Sequence, residues 1–202
     1  AFGTRLRDTK TRGSYAFIVS EATLHGTQAS DLTRLRNVTS PPATFDADAI
    51  YDGIGGAHNV IAGDDLDVAI IVGSADFTSR SCNTGGLILV NVRNPLAPAV
   101  SGCFDADGYT HDAQCLVYDG PDPDYQGRTV CLSSNTSFLS ISDITTATSP
   151  RGSSTAAYPD PGYTHQGWLT DDKRFFLMND ELDEARGLAA STRTIVMNVE
   201  DL

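Results

Sequence analysis

The sequence predicts an all-β fold: a β-propeller with about 3.5 blades of four-stranded antiparallel sheet present. Three observations predict it. A histidine motif recurs as Gly55-Gly56-Ala57-His58-Asn59-Val60, Gly108-Tyr109-Thr110-His111-Asp112-Ala113-Gln114-Cys115 and Gly162-Tyr163-Thr164-His165-Gln166-Gly167-Trp168, with its histidines 53 and 54 residues apart. The residue that closes the third strand of each unit recurs as Asp31, Asn91, Asp143 and Asn198, at intervals of 60, 52 and 55. No stretch sustains helical periodicity, and residues 180–190 offer at most one or two turns. Units of about 50 residues with four short strands have the size of propeller blades. One blade cannot bury both of its faces, so blades stack around an axis, which also limits exposed edges. A β-sandwich fits the turn spacing too, but the repeated histidine start favours the propeller.

In chain order, residues 1–14 are polar, with Arg5, Arg7, Lys10 and Arg12, and read as an irregular lead-in or the remains of a truncated strand. Tyr15-Ala16-Phe17-Ile18-Val19-Ser20 is β-branched and aromatic, a strand run. Residues 26–32 alternate, and Pro41-Pro42 ends the unit. The second unit has strands at 59–62, 68–73 and 86–92, a loop with Asp76, Arg80 and Cys82, and a return at 99–104. The third has strands at 113–118, 128–133 and 138–144 around the acidic turn Asp119-Gly120-Pro121-Asp122-Pro123-Asp124. The fourth has 167–170, 174–178 and 193–199, with the acidic loop Asn179-Asp180-Glu181-Leu182-Asp183-Glu184. The expected blades are 1–44, 45–98, 99–152 and 153–202, in one domain. The first lacks its leading half, and propellers close with 4–8 blades. The chain is therefore expected to be a piece of a longer one, with blades before residue 1 and after residue 202.

Composition narrows the function. The 202 residues are 40% hydrophobic, enough for the core of one domain. No apolar run reaches the roughly 20 residues of a membrane span. A net charge of −12, from 26 acids against 14 bases, argues against a nucleic-acid partner, whose phosphates require a basic face. The same balance fits an extracellular protein, or one that holds Ca²⁺ on loop carboxylates.

Cys82, Cys103, Cys115 and Cys131 form no C-x-x-C pair and cluster in the middle of the chain. An even, clustered set predicts two disulfides and an oxidising compartment. Three pairings are open. Cys115 with Cys131 is favoured, because they fall on adjacent expected strands of one repeat, which leaves Cys82 with Cys103. Asn37-Val38-Thr39 and Asn135-Thr136-Ser137 are glycosylation triplets.

Several segments, taken together and in order, resemble the choice-of-anchor B proteins, which carry LVIVD-type repeats. They are Tyr15-Ala16-Phe17-Ile18-Val19-Ser20-Glu21-Ala22, Asp31-Leu32-Thr33-Arg34-Leu35-Arg36, the motif at 108–115, Tyr163-Thr164-His165-Gln166-Gly167-Trp168-Leu169-Thr170 and the loop at 179–184. The resemblance runs from about Leu6 to Leu202. It implies a secreted or surface-attached β-propeller, in a domain longer than this chain, and carries no settled activity.

Two sets of residues are candidates for chemistry. His58, His111 and His165 occupy equivalent strand starts, which in a propeller lie near the central channel. They would converge there as a ring for a transition metal such as zinc. Asn59, Asp112 and Gln166 would orient them or hold water, and Tyr109, Tyr163 and Trp168 flank them. The alternative is a structural role, each ring bonding a neighbouring blade's backbone. His25 lies outside the pattern, in a loop. The second set is acidic: Asp180, Glu181, Asp183 and Glu184, or Asp119, Asp122 and Asp124, as calcium ligands, although neither has the EF-hand spacing. G-x-S-x-G and phosphate-loop motifs are absent from the sequence.

The expected function is a binding or structural module, secreted or at the cell surface, that recognises an extracellular or cell-surface protein or glycan through its loops. A metal-dependent hydrolase at the channel mouth and a self-assembling subunit of an extracellular structure are the alternatives.

Overall fold

A computed structural model describes residues 6–74 and 82–202. Four antiparallel sheets follow one another along the chain as four blades of a β-propeller. Blade 1 contains β1 (Arg7–Arg12), β2 (Tyr15–Ser20), β3 (Thr27–Asp31) and β4 (Ala49–Tyr51). Blade 2 contains β5 (Asn59–Ile61), β6 (Val68–Val72), β7 (Leu87–Asn91) and β8 (Ala99–Phe104). Blade 3 contains β9 (Thr110–Val117), β10 (Thr129–Asn135), β11 (Phe138–Asp143) and β12 (Arg151–Ala157). Blade 4 contains β13 (Thr164–Leu169), β14 (Phe175–Asp180) and β15 (Thr194–Asn198). Within each sheet the strands pair in sequence order. The first strands β1, β5, β9 and β13 adjoin in turn.

Two expectations about the units change. Residues 7–12 are a full strand, in register with β2 from Arg7↔Ser20 to Arg12↔Tyr15, so blade 1 has four strands and blade 4 has three. The apolar signal is missing from β1 because polar bonds hold it. Arg12 Nε donates to the Leu66 carbonyl at 2.6 Å, and Asp8 accepts from the Val60 N–H at 3.1 Å. The unit boundaries also shift. Strands β4, β8 and β12 each join the sheet before them, so the expected limits at 44, 98 and 152 cut each outer strand away from its own blade. Residues 32–37, expected as loop, form a 3-10 helix capped by Asp31, whose carboxylate accepts from the Thr33 N–H at 2.8 Å. Asp76 and Arg80 lie outside the described residues.

Stacking explains the apolar pattern. The middle strand of blade 2, Val-Ala-Ile-Ile-Val, is buried throughout because it has a blade on each side. Ala69 and Ile71 meet Phe17, Val19 and Ala29 of blade 1, and Val68, Ile70 and Val72 join a cluster with Cys115, Cys131 and Ile144 of blade 3. Leu132 and Ile141 of blade 3 in turn meet Phe176 and Met178 of blade 4. Each fully buried Leu or Ile contributes about 1.5–3 kcal/mol. In β14 burial alternates, so Phe176 and Met178 are covered while Phe175 and Leu177 face outward.

Cys115 and Cys131 lie directly opposite each other in β9 and β10, with Cα atoms 4.1 Å apart, and are joined. Cys82 and Cys103 form the second disulfide, with Cα atoms 5.9 Å apart. This is the favoured pairing. Asn135 is corrected as a glycan acceptor. It is 2% exposed, its carboxamide oxygen accepts from Thr110 Oγ1 and its Nδ2 donates to the Asp107 carbonyl, each at 2.9 Å. A glycan needs a free, accessible Nδ2. Asn37 is exposed.

Candidate functional site

Three loops of one design carry the histidines to the start of β5, β9 and β13. The rings form a row with His111 in the middle, 4.1 Å from His58 and 4.7 Å from His165 between centroids. The three expected residues are thus brought together, as a line across adjoining strands.

A carboxylate stands at each end of the row. His58 Nδ1 donates to Glu21 Oε1 at 2.8 Å, and His165 Nε2 lies 3.9 Å from Glu181 Oε2. Glu21 was not singled out from the sequence, although a signal exists. Strands β2, β6, β10 and β14 align through Tyr15, Val68, Val130 and Phe175, which pair with Asp31, Asn91, Asp143 and Asn198. That alignment puts Glu21, Ser74, Thr136 and Glu181 in one repeat position, with glutamate only in the outer blades.

The three rings do not share one structural bond. His111 Nδ1 donates to the His165 carbonyl at 2.9 Å, across the blade interface. His58 uses a carboxylate, and His165 leans toward one. In His111 the donating Nδ1 fixes the tautomer and leaves Nε2 as a lone pair, while the Glu21 bond orients the His58 ring. Metal-ligating histidines are oriented in this way. Burial lowers the His111 pKa, and the neighbouring rings of His58 and His165 add to the shift. Its bond to the His165 carbonyl and the Glu181 charge oppose it. His111 is therefore a neutral imidazole at neutral pH.

Two tyrosines wall the row. Tyr163 meets His111 edge-on at 5.3 Å, and its phenol pKa is raised by burial and by Glu181. Burial pushes the Tyr109 phenol to about 12, with further contributions from Tyr163 and Glu21. Tyr109 fits because Gly73 and Gly85 leave room. A Cβ on Gly73 would stand 2.8 Å from Tyr109 Oη and 2.5 Å from the His58 Cβ, and its φ is +62°. Trp168 does not join the row. It is 67% exposed and lines a cavity along the first strands instead.

The ligand atoms of His111, His165 and Glu181 all lie within 4.8 Å of one another. Two imidazoles and a carboxylate suit zinc and its neighbours. Of the other acids expected at this loop, Asp180 and Asp183 are buried and Glu184 is exposed but bonded within the loop. Asp180 is fully buried and accepts from Tyr158 Oη and from the N–H groups of Gly162, Tyr163, Leu182 and Asp183, at 2.7–3.1 Å. Asp183 accepts from Arg193 Nε at 2.7 Å, and Glu184 from the Thr192 N–H and hydroxyl at 3.0 Å. Their oxygens are occupied in locking the loop, and Glu181 alone of the four faces the histidines. In the other acidic turn, Asp122 accepts from the N–H groups of Asp124 and Leu202 at 2.9 Å, tying β15's tail to blade 3. His25 is a loop residue bonded to the Gly26 carbonyl. Asn59 donates to the His111 carbonyl at 3.4 Å, while Asp112 and Gln166 line a cavity that none of the histidines lines.

No protein-family model matches the chain, and no curated protein sequence matches it.

Proposed function

We propose that this protein is a binding module, secreted or held at the cell surface, that takes a divalent transition metal of the zinc class at the mouth of its propeller. The convergence of His111, His165 and Glu181 within 4.8 Å carries the reading. Zinc bonds of ~2.0–2.1 Å need ligand atoms roughly 3.4 Å apart. His165 and Glu181, the more exposed members, have the freedom to close that gap. Three protein ligands leave a coordination position for a group on a protein or glycan partner. Two disulfides support an oxidising, extracellular setting, and so does the resemblance to the choice-of-anchor B proteins.

Calorimetric titration of zinc into chelator-treated protein tests this. One ion per chain is expected, with binding lost in His111→Ala. Absence of heat in the native protein overturns the reading.

A second reading, metal-assisted hydrolysis, is favoured by one observation. The His58–Glu21 pair, 2.8 Å apart, places an oriented base beside His111. Zinc-dependent cleavage of activated esters or phosphoesters that disappears in Glu21→Gln supports it. No turnover in either protein removes it.

A further inference from the structure

Along the first strands, with none of the histidines in its lining, lies a cavity of about 470 Å³. Lys10 of β1, Ile61 of β5, Asp112 and Gln114 of β9, and Gln166 and Trp168 of β13 line it. Strand geometry accounts for the set. Side chains two apart share a face, so Asp112 and Gln114 point the same way, while β13 brings Gln166 and Trp168 to the same cavity past its register shift at 164–167. The volume is that of a small-molecule site, within the ~300–1,000 Å³ such sites span.

The lining combines an aromatic plate with free hydrogen-bonding groups. Trp168 offers its indole to solvent. Among the described residues, the Gln166 carboxamide has no hydrogen-bond partner. Asp112 uses Oδ1 on the Ala113 N–H at 2.8 Å and leaves Oδ2 without one. Gln114 Oε1 accepts from the Leu169 N–H at 2.7 Å and holds blade 4 to blade 3, which fixes its carboxamide in the wall.

We propose that this cavity binds a neutral hexopyranose, stacked by its C–H face on Trp168, with Asp112 accepting from one hydroxyl and Gln166 serving both as donor and acceptor to others. Aromatic faces attract weakly polarised C–H groups, and planar polar side chains match vicinal hydroxyls. Charge selects against acidic sugars. The Lys10 ammonium is neutralised by Asp8, whose two oxygens lie at 2.6 and 2.8 Å. The exposed carboxylate of Asp65 then leaves the lining net negative. This cavity is separate from the imidazole row, so its occupancy stands apart from the metal reading.

Trp168 is the chain's one tryptophan, so tryptophan emission, excited at wavelengths that tyrosine does not absorb, reports this site alone. The test titrates the metal-free protein with glucose, galactose, mannose, N-acetylglucosamine and glucuronate to about 50 mM, a range that reveals millimolar binding. A saturable change in emission with at least one neutral sugar is expected, weakened at least about tenfold in Gln166→Ala and in Asp112→Asn. Trp168→Ala, followed by calorimetry, is expected to show no binding. Circular dichroism identifies any variant that fails to fold, and Gln166→Ala, an exposed change, keeps the test open if another does. No change with any neutral sugar overturns the proposal. So does an equal response to glucuronate, or a response that Gln166→Ala leaves intact.

Discussion

Two sets of acids follow equivalent strands and have opposite fates. At the end of β14 and in the loop after it, the chain turns Asp180 and Asp183 inward, where protein donors meet their oxygens. Glu21 and Glu181, one step past β2 and β14, instead point along the row of histidines. Polar groups saturated by the protein belong to the scaffold. Polar groups that the protein aims at one another along a surface belong to a site. In the imidazole row the Nδ1 atoms of His58 and His111 are pinned, which orients both rings.

Substitutions should separate the two sets, and the largest effect is expected at Asp180. Asp180→Ala strands the Tyr158 hydroxyl and several buried N–H groups and should cost about 3–5 kcal/mol in urea unfolding. The acid carries its own signature. Burial by itself raises the Asp180 pKa, but Tyr158 and the N–H groups of Tyr163, Gly162 and Leu182 outweigh it and hold the carboxyl below its usual range. A depressed native value stabilises the fold above the unfolded value of about 3.9, and that stability is lost as the pH falls through the native one. The slope of unfolding free energy against pH should therefore shrink below about pH 4 in Asp180→Asn.

Next in size is the covalent tie. Replacing Cys115 and Cys131 together by Ala opens a loop of sequence separation 16 and should cost about 3 kcal/mol, with zinc titrations unchanged. Gly73→Ala stands between scaffold and site. Its φ of +62° and the contact with the His58 Cβ predict a loss of about 1–2 kcal/mol and, unlike the disulfide change, a weaker zinc isotherm. Glu181→Gln should sharpen the contrast most cleanly. Stability should stay within about 0.5 kcal/mol of the native protein, while zinc affinity falls at least about tenfold. A Glu181 variant that loses stability without losing metal would place this residue with Asp180 and end the distinction.

Much of the fold could be read from the residues. The runs at 68–72, 87–91 and 129–133 are apolar and β-branched enough to mark strands, and the recurrence of Asp31, Asn91, Asp143 and Asn198 set their register. The strand β1 was harder, because Arg7-Asp8-Thr9-Lys10-Thr11-Arg12 carries no apolar alternation and is held by bonds to the second blade. Of the site, the histidines were legible from their spacing. Glu21 was not, because its neighbour in space is 37 residues away in the chain.

By itself the sequence determined the repeat, the strands within it and the convergence of three equivalent histidines, because period and alternation are local properties that a stacked architecture multiplies. Only the tertiary structure decided which acids serve the loop and which serve the row, that Asn135 is enclosed, and that Trp168 faces a cavity away from the imidazoles. Those outcomes depend on how one blade rotates against the next, and contacts across that interface join residues whose separation along the chain carries no periodic mark.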